Sequence, residues 1–425
     1  MFRSPWNLTA AEAVCADDAS TANELVDVVS NLVSRSLVSR AGADRFRLLE
    51  TIRQFAAAEL AASGEHPSIA ARHLDHMVQL AEATDPQLRH GDQVLALATL
   101  RSVNPDLRQA LAFSEANPDT HGSAGLRLAG ALGWFWYLGD HEEGRRHLHR
   151  LLDVVDASEQ DRGRGLLALS AVERPSACIV HPHDLCADAA RSAATLFGRT
   201  GDRPRQALAE VLAAVEGVRG IDTVAALGAV DRAAVEFAAA DDEWSLALID
   251  FVRMEILMRV DDGRAAIAHG ERAAAAFARL GDLWGLSSVR GHQGANRRIL
   301  GDFDGALSSY GAAIGVAREV GLHNSVQLIG AEISLLFAVL GDAESAHRAL
   351  DAARAHARRH GYRGALAAAH LVHAHLARWA GNLEDARTEY MKASEEMASV
   401  NSMLYLVEAT SGLGFVAEER QGSEK

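Results

Sequence analysis

One spacing governs what this chain can fold into: turn residues return every forty positions. Gly301-Asp302, Gly341-Asp342 and Gly381-Asn382 each close a helical run, and Asp261-Asp262 stands one step earlier with aspartate in the glycine's place. An alanine follows five residues after the first member of each pair (Ala266, Ala306, Ala346, Ala386), and another seven beyond that (Ala273, Ala313, Ala353, Ala393). A second series runs twenty out of phase: Gly201-Asp202, Asp241-Asp242, Gly281-Asp282, Gly321 and Gly361. A fixed period of this size with a turn at each half is the mark of stacked helical hairpins.

The half-period leaves about seventeen residues for a helix, or roughly 25 Å at the usual rise. Glycine at each helix end supplies the left-handed cap that other residues enter with strain. The aspartate after it accepts from free N–H groups of the next helix and suits its positive end. The alanines let helices approach closely. Larger residues fill the gaps between them: Phe237 and Phe277 are one period apart, as are Trp244 and Trp284. One hairpin cannot bury its apolar face, whereas a stack makes a continuous core.

The run from Gly301 through Ala306 and Tyr310 to Ala313 resembles the second helix of a tetratricopeptide repeat, as does Gly381 through Ala386 and Tyr390 to Ala393. Gly294 falls where that family keeps a small residue in its first helix. The departures are a period of forty where that family has thirty-four, and no proline closing each unit. They imply longer helix pairs. The expected fold class is all-α: a tetratricopeptide-like helical-hairpin solenoid with repeats of about forty residues, preceded by a small winged-helix unit.

That unit is read over residues 1–62. Short helices are expected at Leu8–Cys15 and Asn23–Ser34, a hairpin from Leu37 to Leu48, and a third helix from Leu49 to Ala62. Leu32 to Val38, followed by Phe46 to Ala56, resembles the winged-helix segment of large actinobacterial signal-transducing ATPases and transcriptional regulators of the NB-ARC or STAND type. Trp6 to Val14, Asn104 to Leu111, Gly133 to Tyr137 and Gly144 to Leu148 extend the likeness across most of residues 5–155. The resemblance implies a regulator's back half. The phosphate-cradling G-x-x-x-x-G-K-[ST] is missing, since no glycine in this sequence precedes a lysine. ATP binding is therefore not carried over, and no cofactor is expected. Residues 66–160 read as degenerate helical repeats and 162–420 as the regular solenoid.

Charge narrows the partners. The formal net charge is −15, which disfavours a general nucleic-acid or membrane-surface binder. The expected recognition helix, Asn23–Ser34, carries Glu24 and Asp27 and no base before Arg35, although phosphate contacts need Arg or Lys. No apolar run of membrane-spanning length and no secretory signal is present, and three cysteines suit a reducing cytoplasm, so cytoplasmic localisation is expected.

Candidate chemistry is sparse. Cys178, His181, His183 and Cys186 fall within nine residues and could ligate zinc, but the spacing is not a standard one. Cys186 also occupies the repeat's small-residue position, so core packing is the plainer reading. Trp134, Trp136 and Tyr137 read as core. His370, His373 and His375 share one helix with no carboxylate at matched spacing, and a solvated face is the plainer reading. No hydrolase or protease motif appears, so no enzyme is expected. Function then falls to the concave face, which the first helix of each pair lines in such repeats. The tetratricopeptide resemblance places Phe251, Glu255, Met258, Arg298, His375 and Arg378 there, a mixture suited to a bound protein or peptide segment. A small-molecule effector on the same face is the alternative, DNA binding through residues 1–62 the other, and homodimerisation is left open.

Overall fold

A computed structural model describes residues 1–16, 22–154, 156–173, 184–220, 223–259, 262–360, 363–399 and 403–423. Their contacts divide the chain into two units, Met1–Leu88 with Val94–Val172, and Arg89–Gln93 with Glu173–Lys425.

The first unit opens with α1 (Leu8–Cys15), capped by the Asn7 side chain, which accepts from Ala10 N at 2.9 Å. α2 (Ala22–Ser34) leads into the antiparallel pair β1 (Val38–Arg40) and β2 (Phe46–Leu48), with Val38 opposite Leu48. Trp6 extends this pair by exchanging two main-chain hydrogen bonds with Phe46, at 2.9 and 2.7 Å. α3 (Glu50–Ser63) ends on left-handed Gly64. The expected order of helix, helix, hairpin and helix is therefore present.

α4 (His66–Thr84), α5 (Gln93–Ser102) and α6 (Asn104–Ala116) follow, the last two divided before Pro105 as the sequence suggests. One helix is expected over 123–138, but the chain makes two, α7 (Pro118–Ala131) and α8 (Gly133–Tyr137). The step falls beside Gly133, which lies so close to Ala168 that an added Cβ would sit 2.5 Å from that side chain. Trp136 and Tyr137 are buried core residues, and Trp134 is half-buried. α9 (His141–Val154) and α10 (Glu159–Val172) complete the unit.

The second unit realises the period. After α11 (Asp184–Thr200) come α12 (Arg203–Gly220), α13 (Thr223–Ala239), α14 (Glu243–Arg259) and α15 (Gly263–Leu280). Then follow α16 (Leu283–Ile299), α17 (Phe303–Val320), α18 (His323–Val339), α19 (Ala343–His360), α20 (Arg363–Trp379), α21 (Leu383–Ser399) and α22 (Met403–Ser423). First helices begin at 203, 243, 283, 323, 363 and 403, and second helices at 223, 263, 303, 343 and 383. Each first helix from α14 to α20 packs most closely on the second helix that follows it. This is a tetratricopeptide-like helical solenoid.

The punctuation works as its chemistry requires. Asp242, Asp262, Asp302 and Asp342 each accept from the backbone N–H three residues on, at 2.9–3.2 Å. The eight alanines counted in the sequence are all buried. They make room for aromatics, as where Gly294 lies flat on Tyr310: an added Cβ would sit 2.5 Å from that ring. Trp244, Phe277 and Trp284 form an edge-to-face chain at 6.4 Å centroid spacing.

Asp241 breaks the pattern usefully. It holds φ +52° at a position where Gly201, Gly281 and Gly321 are left-handed. A side chain there is strained, although aspartate tolerates it better than most residues. Asp241→Gly is expected to raise stability by about 0.5–1 kcal/mol, the left-handed strain relieved less glycine's added chain entropy. A rise in denaturant midpoint with unchanged slope would show it, and an unchanged or lower midpoint would refute it.

Candidate ligand-binding face of the repeats

Successive first helices α14, α16, α18 and α20 present like register positions forty residues apart, so one residue per helix builds a row. Three rows hold the residues singled out in the sequence: 251/291/331/371, 255/295/335/375 and 258/298/338/378.

Phe251 is buried, with its ring edge-on to Trp284 at 6.4 Å and to His292 at 5.1 Å. Glu255 lies one turn on, with its carboxylate 3.0 Å from His292 Nε2 on the next first helix. Met258 is half-buried at the end of the same row. Arg298 pairs with Glu332 of α18 at 3.3 Å, and the Tyr310 hydroxyl donates to the same carboxylate at 3.3 Å. Burial works against the Arg298 charge, but Glu332 and Tyr310 beside it raise its pKa on balance. The Tyr310 hydroxyl is pushed far up by burial first and Glu332 second.

His375 Nδ1 lies 2.8 Å from the Tyr390 hydroxyl, and its ring stacks on Trp379 at 5.9 Å. Arg378 donates to Glu419 of α22 at 2.8 Å and covers the Phe415 ring at 5.5 Å. Burial opposes its charge, while Tyr390 and Glu419 raise its pKa.

The six residues thus fall into two groups, one on α14 and α16 and one on α20. Between them α18 carries Ala331, Leu335 and Ala338 in the same rows, and all three belong to the apolar core. His292, Glu332 and Glu419 were missed. His292 and Glu332 are one period apart, a signal that a search along rows would have found.

The two arginines share a detail with Arg164 and Arg354. The Nε atoms of both Arg298 and Arg378 are buried with no acceptor among the described residues. The two stand two periods apart in one row.

The histidines of α20 do not form a solvated face. His370 is buried with Nδ1 2.6 Å from Glu389 Oε2, and His373 meets Glu389 at 3.3 Å and Asp385 at 3.2 Å. The carboxylates come from α21, not from the histidines' own helix. The same contact recurs with roles exchanged in α14 and α15, where Asp250 meets His269 at 2.6 Å and Arg272 at 2.9 Å.

Of the zinc candidates, Cys178, His181 and His183 lie outside the described residues, and Cys186 is buried. Among the described residues no group of three or more metal-ligating side chains is assembled, and no helix is long and apolar enough to cross a membrane.

Comparison with known proteins adds a sequence relationship and a fold. No family model matches the chain. Proteins of Mycobacterium bovis and Mycobacterium tuberculosis named as HTH-type transcriptional regulators are 31% identical over 179 residues, which is 41% of this chain and 19% of theirs. The chain therefore matches only about a fifth of the length of those regulators. A Rap protein solved in complex with competence and sporulation factor superposes with a TM-score of 0.54. That match is 12% identical and covers 83% of this chain and 98% of the other. It establishes the tetratricopeptide-like fold.

Proposed function

We propose that this chain is a non-catalytic sensor or scaffold module of a bacterial transcriptional regulator, holding a protein or peptide segment on the first-helix face of its repeats. Residues 1–62 would be a winged-helix unit, 66–160 degenerate repeats and 162–420 the binding solenoid. Phe251, Glu255, Met258, Arg298, His375 and Arg378 are the proposed contacts, on the concave side.

The carrying observation is that Arg298 and Arg378, two periods apart in one row, are both partly exposed and both paired with a carboxylate of the next first helix. Each guanidinium is already held by a carboxylate on the neighbouring first helix, so its plane is fixed. A peptide carbonyl or carboxylate is the matching acceptor. The relationship to transcriptional regulators supports the regulatory setting. The matched Rap protein, solved with a bound factor, shares the architecture this reading needs.

Selection of peptides from a displayed random library on the intact chain tests it. Selected peptides should bind Arg298→Ala/Arg378→Ala at least about tenfold more weakly, the loss expected when hot-spot arginines are removed. Equal binding by that variant, with its thermal melt unchanged, would move the site elsewhere. A small-molecule effector on the same face would appear instead as a ligand-dependent rise in Tm.

A further inference from the structure

The turns between paired helices carry a further feature, which adjoins the binding face where Trp379 stacks on His375. Ile299, Val339 and Trp379 are the last residues of α16, α18 and α20, each one period apart, and Leu300 and Leu340 follow the first two. All five are between 46% and 63% exposed. Turn geometry does not force this. At the opposite set of turns, Val320 and Leu322 flank Gly321 and are 2% and 5% exposed. Because α16 packs on α18 and α18 on α20, the five side chains form a ridge along one edge of the stack. Exposed large apolar residues repeated along one edge of a stack mark an interaction site, where scattered single ones would not.

A row of carboxylates borders the ridge. The segments that follow it read Asp-Phe-Asp-Gly-Ala from Asp302, Asp-Ala-Glu-Ser-Ala from Asp342 and Asn-Leu-Glu-Asp-Ala from Asn382. They hold six acidic residues, all exposed, and no lysine or arginine. Glu344 pairs with Arg348 and Glu384 with Arg420, both exposed pairs that a competing cation can replace.

We propose that this edge docks a basic amphipathic helix of a partner protein. The pitch fits: packed helices lie about 8–10 Å apart, and one heptad of an α-helix advances about 10.5 Å. Apolar residues a heptad apart would meet Ile299, Val339 and Trp379 in turn, while Lys or Arg on one flank meets the carboxylates. A second copy of this chain is a poor occupant, because it would set another acidic row against the first on a molecule of net charge −15.

The test uses a fluorescent 18-residue peptide of leucine and lysine, with leucine at heptad positions, titrated against the intact chain by anisotropy. A scrambled peptide and a leucine–glutamate counterpart serve as controls. Binding should be confined to the heptad lysine peptide. It should weaken at least tenfold in Val339→Glu/Leu340→Glu, and in Asp304→Lys/Glu344→Lys it should weaken and lose its salt dependence. Val235→Glu, an exposed valine on α13, is the control for adding charge and should leave binding intact. Melting curves matching the parent chain confirm that the variants fold; if the ridge variant unfolds, Val339→Ser/Leu340→Ser takes its place. Unchanged binding in a folded ridge variant would overturn the proposal, as would equal binding of the scrambled or acidic peptide. Dimerisation of the parent chain that the ridge variant abolishes would also overturn it, by assigning the edge to a second copy.

Discussion

Glu389→Ala is expected to cost about 3–5 kcal/mol, the loss typical when one partner of a buried ion pair is removed. Glu389 is buried, and its carboxylate accepts from Lys392 Nζ at 2.6 Å, lies 2.6 Å from His370 Nδ1 and stands 3.6 Å from Arg354. Burial pushes its pKa up, but the hydrogen bonds from His370, His373 and Lys392 outweigh that and hold it far below the usual carboxylate range. Glu389 in turn raises the His373 pKa above its ordinary 6.5. The two shifts work in opposite directions along the pH axis. The depressed glutamate contributes stability that is present above its ordinary 4.5 and lost as pH falls through its folded value. The raised histidine contributes stability that is full below 6.5 and lost as pH rises through its folded value. The difference between parent and variant should therefore be largest between about pH 4.5 and 6.5 and shrink on both sides. A Tm lowering of roughly 3–6 °C at pH 5.5 is expected. Hydrogen exchange should quicken first in α20 and α21, since solenoid stability is largely local. A Tm within about one degree of the parent would show that the cluster contributes little, as exposed pairs do.

The fate of Glu389 also shows what the sequence could and could not disclose. Helix starts fell on a strict forty-residue spacing because glycine and aspartate can punctuate a chain on their own: one needs only its φ, the other only the N–H groups just ahead. The alanines at 266, 306, 346 and 386 were readable for the same reason, since a small residue at a fixed register states how near the next helix comes. Partners across helices were not readable one helix at a time. His370 and Glu389 are nineteen residues apart, as are Asp250 and His269 three periods earlier, so the pairing is a property of the hairpin. Searching α20 alone for a carboxylate therefore led to a solvated face, whereas adding the second helix's register would have found Glu389. The same limit applies to the binding face. Its rows could be written down from the period, but the partition of charge between Glu255–His292 and Arg298–Glu332 depends on contacts between successive first helices. The first unit carries no such period, and there the division between α7 and α8 was missed.

Asp282→Asn is expected to change how stability varies with pH, and in the direction opposite to an ordinary helix cap. Asp342 is the ordinary case: an exposed cap whose contacts with Ser345 lower its pKa, so it stabilises above its usual 3.8 and loses that contribution in acid. Asp282 caps α16 from full burial. Its Oδ1 accepts from Gly285 N at 3.0 Å and from Gln93 Nε2 at 2.9 Å, and its Oδ2 accepts from Trp244 Nε1 at 2.7 Å. Burial outweighs these three donors and pushes the carboxyl from 3.8 up to about 6. The folded chain then holds the proton more tightly than the unfolded one. Stability from this group is full below 3.8 and falls as pH rises through about 6. The gap corresponds to about 3 kcal/mol at neutral pH. Asparagine cannot ionise, so that slope disappears. It can still accept from Gly285 N but offers an NH2 group to one of the other donors, losing about 1 kcal/mol of hydrogen bonding. The variant should be less stable than the parent at pH 4 and should match or exceed it at pH 7. Unfolding free energies of both proteins from pH 4 to 7.5 decide the matter. A difference that stays constant across that range would mean Asp282 is ionised throughout, and that its three donors, not its burial, set its charge.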